Sequence, residues 1–203
     1  MRGSFGSPAF VYTAAVKGRK TVWLVGMMGA GKSVVGRSLA LAFGLRFVDT
    51  DDEVARLSGC SLSEIFEREG EQGFRERERE LIDAVAGEEA IVSLGGGAVS
   101  QPGAADRLAA TGIMVYLRAR SETLFARVGD ARSRPLLAKL DDRAREACLD
   151  ELIAARSAAN ETAALVVDTD DLDVDEVVDR VVQGLAGAAV QIGESGERDG
   201  GRR

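Results

Sequence analysis

The chain has 203 residues, 45% of them hydrophobic, enough for one domain with a proper core and too many for a disordered chain. With 26 basic against 33 acidic residues its net charge is −7, the wrong sign for general nucleic-acid wrapping. It contains no histidine, which excludes Ser-His-Asp and Cys-His catalysis and HExxH zinc sites and leaves proton transfer to a carboxylate, Lys, Tyr, thiol or water.

In chain order, residues 1–20 carry Arg2, Lys17, Arg19 and Lys20 and no acid. Their apolar run, Phe10 to Val16, is too short and too poor in leucine for a signal peptide, so a disordered leader is expected. Strands are predicted at Thr21–Val25, Arg46–Val48, Ala90–Leu94, Ile113–Leu117 and Leu165–Asp168, short apolar runs that suit a sheet buried on both faces. Helical patterns fall between them. Val34–Phe43 stops at Gly44, and Ser61 with Glu64 forms a capping box ahead of Ile65-Phe66, a turn closed by Gly70. Gln72–Ala86 is charged on one face with Phe74, Leu81, Ile82 and Val85 on the other, and Asp175–Leu185 repeats paired valines at helical spacing. Strands alternating with helices predict a doubly wound parallel α/β sheet, whose ligands bind beyond the carboxyl ends of the strands. The domain is expected over residues 21–186, with 187–203 a disordered Gly-rich tail. Cys60 and Cys148 share no metal spacing and read as small buried apolar residues in a reducing cytosol.

The strongest chemical signal is Gly26-Met27-Met28-Gly29-Ala30-Gly31-Lys32-Ser33, which fits G-x-x-x-x-G-K-[ST] between a strand and a helix. Its amides would curl around a polyphosphate at a helix N-terminus, Lys32 would reach the β/γ-phosphates and Ser33 would ligate Mg²⁺. Asp49-Thr50-Asp51-Asp52 follows the second strand. Asp49 and Asp51, read as one side of an extended segment, could divide between Mg²⁺ and a substrate hydroxyl. Alternatively, Asp51 or Asp52 simply caps a helix over Glu53–Leu57. Gly95-Gly96-Gly97 permits close backbone approach to a ligand, or is an ordinary loop. The Arg-rich stretch with Arg127, Arg132 and Arg134 reads as a mobile lid over phosphate, or as a solvated loop.

The stretches GMMGAGKS, FVDTDDEV, GCSLSEIFEREGEQGFRERE, LGGGAV and RSRPLL together resemble the shikimate kinase family, in order and near its spacing, from about Thr21 to Leu185. The resemblance implies a P-loop, nucleoside-monophosphate-kinase-like fold of five parallel strands with a mobile lid. It also implies transfer of the ATP γ-phosphoryl to the 3-hydroxyl of shikimate in aromatic biosynthesis. It would put ATP on Gly29, Ala30, Gly31, Lys32, Ser33 and Val34, with Arg127 and Arg134 above it, and Mg²⁺ on Ser33 and Asp49. Shikimate would meet Asp51, Arg75, the Gly95, Gly96, Gly97 loop and Arg156. Lys32, Asp51 and Arg134 would be catalytic. A cytoplasmic monomer acting on small molecules, without nucleic-acid or membrane partners, is the accompanying expectation. The chain departs from the family in two places. The R-x-P-x-Y pattern is Arg156-Ser157-Ala158-Ala159-Asn160 here, and Val34 replaces a threonine. A kinase for another small polyol or aminoshikimate-like acid, and a non-catalytic nucleotide-binding paralogue, are the alternative readings.

Overall fold

The computed structural model describes residues 21–128, 137 and 140–196, with side chains to Gly187. Five strands, β1 (Thr21–Val25), β2 (Arg46–Asp49), β3 (Ala90–Ser93), β4 (Gly112–Arg118) and β5 (Leu165–Asp168), form one parallel sheet in the order β2-β3-β1-β4-β5. The helices are α1 (Lys32–Phe43), α2 (Thr50–Ser58), α3 (Leu62–Val85), α4 (Ala104–Thr111), α5 (Ser121–Val128), α6 (Asp142–Asn160) and α7 (Val174–Gly196).

The strand sequences lack polar alternation because both faces of the sheet are covered. In β1, Val22 and Leu24 join one core with α1, α5, α6 and α7, while Trp23 and Val25 join the other with α2, α3 and α4. In β4, Ile113, Val115 and Leu117 face the first core and Met114 and Tyr116 the second. The polar groups of Trp23 and Thr21 that this arrangement buries are satisfied. The Trp23 indole donates to the Leu108 carbonyl at 3.0 Å, and the Thr21 hydroxyl donates to the Glu88 carbonyl at 2.9 Å.

All five expected strands form, each within a residue or so of its expected ends. The Ser61–Glu64 capping box is made, and α3 breaks at Gly70, whose φ of 70° suits glycine. Helices α4 and α5 had no clear signal because eight residues are too few to repeat an apolar stripe, and α6 buries only Leu149, Arg156 and Asn160 over its 19 residues. The Ala-rich stretch after Leu185 continues α7 to Gly196, past the expected boundary at 187. Both cysteines are only half-buried and free, each at the margin of a different core rather than inside one.

Candidate active site

The carboxyl ends of β1, β2 and β3 open onto a cleft of about 500 Å³. At one end, the loop after the central strand β1 passes close to the end of β4. Gly26 has a φ of 139°, and a side chain there would collide with the Leu117 carbonyl, so both conformation and space demand glycine. The loop ends at Gly31, which begins α1 without a side-chain cap, and the first turn of α1 holds no acid. By contrast, α2 is capped by Asp49, α3 by Ser61, α6 by Asp141, and Asp173 with Glu176 forms the same reciprocal pair at α7. An uncapped first turn with its amides aimed into a cleft is an anion site. Lys32 folds over it, donating to the carbonyls of Gly26 and Met27 at 2.9 and 3.0 Å. Gly29, Gly31, Lys32, Ser33 and Val34 line the cleft, whereas Ala30 is buried beneath the loop.

The Ser33 hydroxyl donates to Asp49 Oδ2 at 2.5 Å. Asp49, not Asp51 or Asp52, caps α2, accepting from the Asp51 amide at 3.2 Å. The extended segment therefore ends at Asp49, and Asp51 enters the cleft from the first helical turn instead of from a strand. Of the two alternatives left open by the sequence, capping falls to Asp49 instead of Asp51 or Asp52, and Asp51 lines the cleft.

The other end of the cleft is a cluster of charged side chains gathered against Gly95–Gly97. A Cβ on Gly95 would fall inside 3.0 Å of both Glu78 Oε1 and Asp51 Oδ1. On Gly97 it would stand 2.5 Å from Arg75 Nη2 and 3.3 Å from Arg156 Nη2, and on Gly96 3.3 Å from Arg156 Nη1. Four charged groups close on this backbone, most tightly at Gly95 and Gly97 and less so at Gly96. The Gly95 amide donates to Thr50 Oγ1 at 2.9 Å, Thr50 donates to Glu78 Oε1 at 3.3 Å, and Arg75 donates to Glu78 Oε2 at 2.6 Å. This chain of bonds ties the glycine loop to α2 and α3 and fixes the Arg75 guanidinium, which Glu71 also accepts at 3.1 Å.

Glu78 is 1% exposed, and burial pushes its carboxyl above the ordinary value of 4.5 although Arg75 pulls it back. Burial also acts against the charge on Arg75, but Glu78 and Glu71 more than restore it. Arg156 differs. It is 7% exposed, and burial, then the neighbouring Arg75 charge, lowers its pKa. Among the described residues its guanidinium meets only the Met27 sulfur, at 3.9 Å. Arg75 is thus neutralised by its own helix, while Arg156 presents a buried positive charge with no carboxylate.

The structure brings Asp49, Asp51, Arg75, Gly95, Gly96, Gly97, Arg127 and Arg156 to the same cleft as the phosphate loop. Arg156 reaches the glycine loop on an unbroken α6 despite the absent Pro and Tyr. Arg132 and Arg134 lie outside the described residues. Sequence reasoning missed Thr50 and Glu78. Glu78 carried a usable signal, for it falls on the buried stripe of Phe74, Leu81 and Val85, where a carboxylate needs a partner.

The shikimate kinase family model matches residues 28–186. The chain is 42% identical over 168 residues to a shikimate kinase of Halorhodospira halophila, covering 82% of this chain and 93% of that protein. It is 43% identical over 159 residues to one of Bordetella pertussis, covering 77% and 74%. Among solved structures, a shikimate kinase from Acinetobacter baumannii in complex with shikimate superposes with a TM-score of 0.77 at 34% identity, over 84% of this chain and 95% of that one. The shikimate kinase of Aquifex aeolicus gives 0.72 at 30%, over 83% and 98%. A glycine-rich loop at a helix start, a carboxylate pair beside it and an arginine-lined pocket adjoining it therefore stand on a backbone and a sequence of one lineage, and the chain belongs to the shikimate kinase family.

Proposed function

We propose that the cleft carries out the family's reaction, phosphorylation of the 3-hydroxyl of shikimate by ATP to give shikimate 3-phosphate and ADP on the route to chorismate, with the following division of labour. The amides of Gly29–Ser33 and the uncapped start of α1 hold the ATP phosphates, with Val34 at their edge and Arg127 above. Lys32 offsets the charge developing on the transferred phosphoryl. Shikimate lies between Asp51 and the glycine loop. Its carboxylate faces the Arg156 charge and the remaining donors of Arg75, which Glu78 and Thr50 hold in place. As the 3-hydroxyl oxygen bonds to the γ-phosphorus and the bond to the ADP oxygen breaks, Asp51 accepts the hydroxyl proton.

The Ser33 hydroxyl and the Asp49 carboxylate are hard oxygen donors 2.5 Å apart at the phosphate loop, a pair that suits Mg²⁺ with nucleotide and water completing its shell. The ion, when bound, supplies charge neutralisation at the phosphates. Arg134 is read as closing over the γ-phosphate from residues outside those described. A monomer in the cytoplasm, acting on small molecules, is the accompanying reading. Among the described residues no helix is long and apolar enough to cross a membrane.

One observation carries the proposal: Asp51, Glu78, Arg75 and Arg156 converge on Gly95–Gly97 directly beside the phosphate loop, where a Cβ on Gly96 would stand 3.6 Å from the Met28 nitrogen. Coupled ADP release, measured with shikimate, with gluconate and without acceptor, tests it. Turnover with shikimate alone is expected. Turnover with gluconate but not shikimate would replace the acceptor, and binding of ATP without turnover on any acceptor would mean a non-catalytic paralogue.

A further inference from the structure

Four consecutive residues at the end of β5, Asp168-Thr169-Asp170-Asp171, face Arg118 at the end of β4, Arg120 just after it and Arg127 of α5. Their pairing is sorted by charge. Arg118 takes Asp168, with bonds of 2.5 and 3.0 Å. Arg120 takes Asp170 and Asp171, its guanidinium 3.5 and 3.3 Å from them, and its amide also donates to Asp170 at 3.1 Å. Arg127, the arginine that lines the nucleotide end of the cleft, meets the one neutral residue of the four. Its Nη1 donates to Thr169 Oγ1 at 3.0 Å and its Nη2 to the Thr169 carbonyl at 2.7 Å.

Thr169 is itself immobilised. It is 1% exposed, and its amide donates to the Arg118 carbonyl at 2.8 Å, extending the β4–β5 ladder one step past the strands. Two of the five N–H groups of the Arg127 guanidinium are thus fixed to the sheet, which sets its plane. Neither bond is to a carboxylate, so the charge is oriented without being cancelled. An aspartate at 169 would hold the same guanidinium but neutralise it. Three acids adjoin this threonine in sequence, and all are paired elsewhere, Asp168 with Arg118 and both Asp170 and Asp171 with Arg120.

We propose that Thr169 is a positioning residue for the nucleotide, holding Arg127 in a fixed orientation over the ATP site while leaving its full positive charge to the ligand. This rests on the reading of Arg127 as an ATP contact. The effect should appear in ATP affinity and leave the acceptor end untouched.

The test is steady-state kinetics of the full chain with Thr169→Ser, Thr169→Val, Thr169→Asp and Arg127→Ala, with thermal melting of each. Thr169→Ser keeps the hydroxyl and should match the wild type. Thr169→Val keeps the shape but loses the Nη1 bond, and should raise the KM for ATP about threefold to tenfold. Thr169→Asp should raise it further, toward the value for Arg127→Ala. The KM for shikimate should be unchanged throughout. A KM for ATP unmoved in Thr169→Val and Thr169→Asp while Arg127→Ala raises it would overturn the positioning role alone. No change in Arg127→Ala would overturn both it and the ATP contact. Equal rises in both KM values, tracking a fall in melting temperature, would mean that Thr169 merely stabilises the sheet edge.

Discussion

At the nucleotide end of the cleft the lining is mainly one contiguous stretch, Gly26–Ser33, joined by Asp49 and Arg127, whereas at the acceptor end it is charged side chains drawn from α2, α3 and α6 onto a bare glycine backbone. The first design binds what every such loop binds, a polyphosphate, and needs little beyond a strand, a turn and a helix start. The second must choose one small acid among many polyols. On the proposed reading it does so by asymmetry, with one arginine already neutralised by Glu78 and Glu71 and another that, among the described residues, is buried without a hydrogen-bonded carboxylate. Generality sits in the backbone and selectivity in the side chains.

Substitutions can break the two ends separately. The largest effect belongs to the nucleotide end, where Lys32→Ala should lower kcat/KM by two orders of magnitude or more, at least ~3 kcal/mol, in a coupled assay. Asp51→Asn comes next. It should collapse kcat while ATP affinity, measured by nucleotide titration, holds; loss of ATP binding instead would make Asp51 a structural or metal residue.

At the acceptor end, Arg156→Ala and Arg75→Ala should each raise the KM for shikimate by the equivalent of ~2–5 kcal/mol with the KM for ATP nearly unchanged. Their stabilities should diverge. Removing Arg75 strands the buried Glu78 carboxylate, so its melting temperature should fall, while removing Arg156 relieves an uncompensated charge and should not destabilise the fold. Equal melting temperatures would contradict the asymmetry.

The smallest effect concerns Glu78 and pH. Its carboxyl is raised above 4.5 in the fold, so the folded state binds this proton more tightly than the unfolded chain. Its contribution to stability is complete below 4.5 and is lost as pH rises through the folded value. Denaturant melts should therefore show the wild type losing ground to Glu78→Gln as pH climbs above 4.5, by at most ~1.4 kcal/mol per pH unit. A pH-independent difference would mean that burial does not perturb this group.

The same contrast explains what could be read from the sequence. The phosphate loop is local, so spacing alone placed Gly29, Lys32 and Ser33, and the uninterrupted apolar strands placed the sheet. The acceptor end is assembled from residues up to 105 positions apart, Asp51 to Arg156, and local pattern could not join them; the family resemblance did. The capping of α2 was misassigned because three aspartates within four residues are equivalent in sequence. Only the end of β2 at Asp49 decides which one has the extended backbone a cap requires. Thr50 and Glu78 escaped notice because their role is to hold Arg75 and Gly95 rather than to meet a ligand.

The central claim is that bare backbone at Gly95–Gly97 exists to admit the arginine pair, and Gly97→Ala tests it most directly. Gly97 is not among the glycines with positive φ, so alanine brings no backbone strain, only a methyl 2.5 Å from Arg75 Nη2 and 3.3 Å from Arg156 Nη2. Calorimetric titration of shikimate into this variant should show affinity reduced by about tenfold or more, with ATP binding and melting temperature close to wild type. Wild-type shikimate affinity in a folded Gly97→Ala protein would contradict the account.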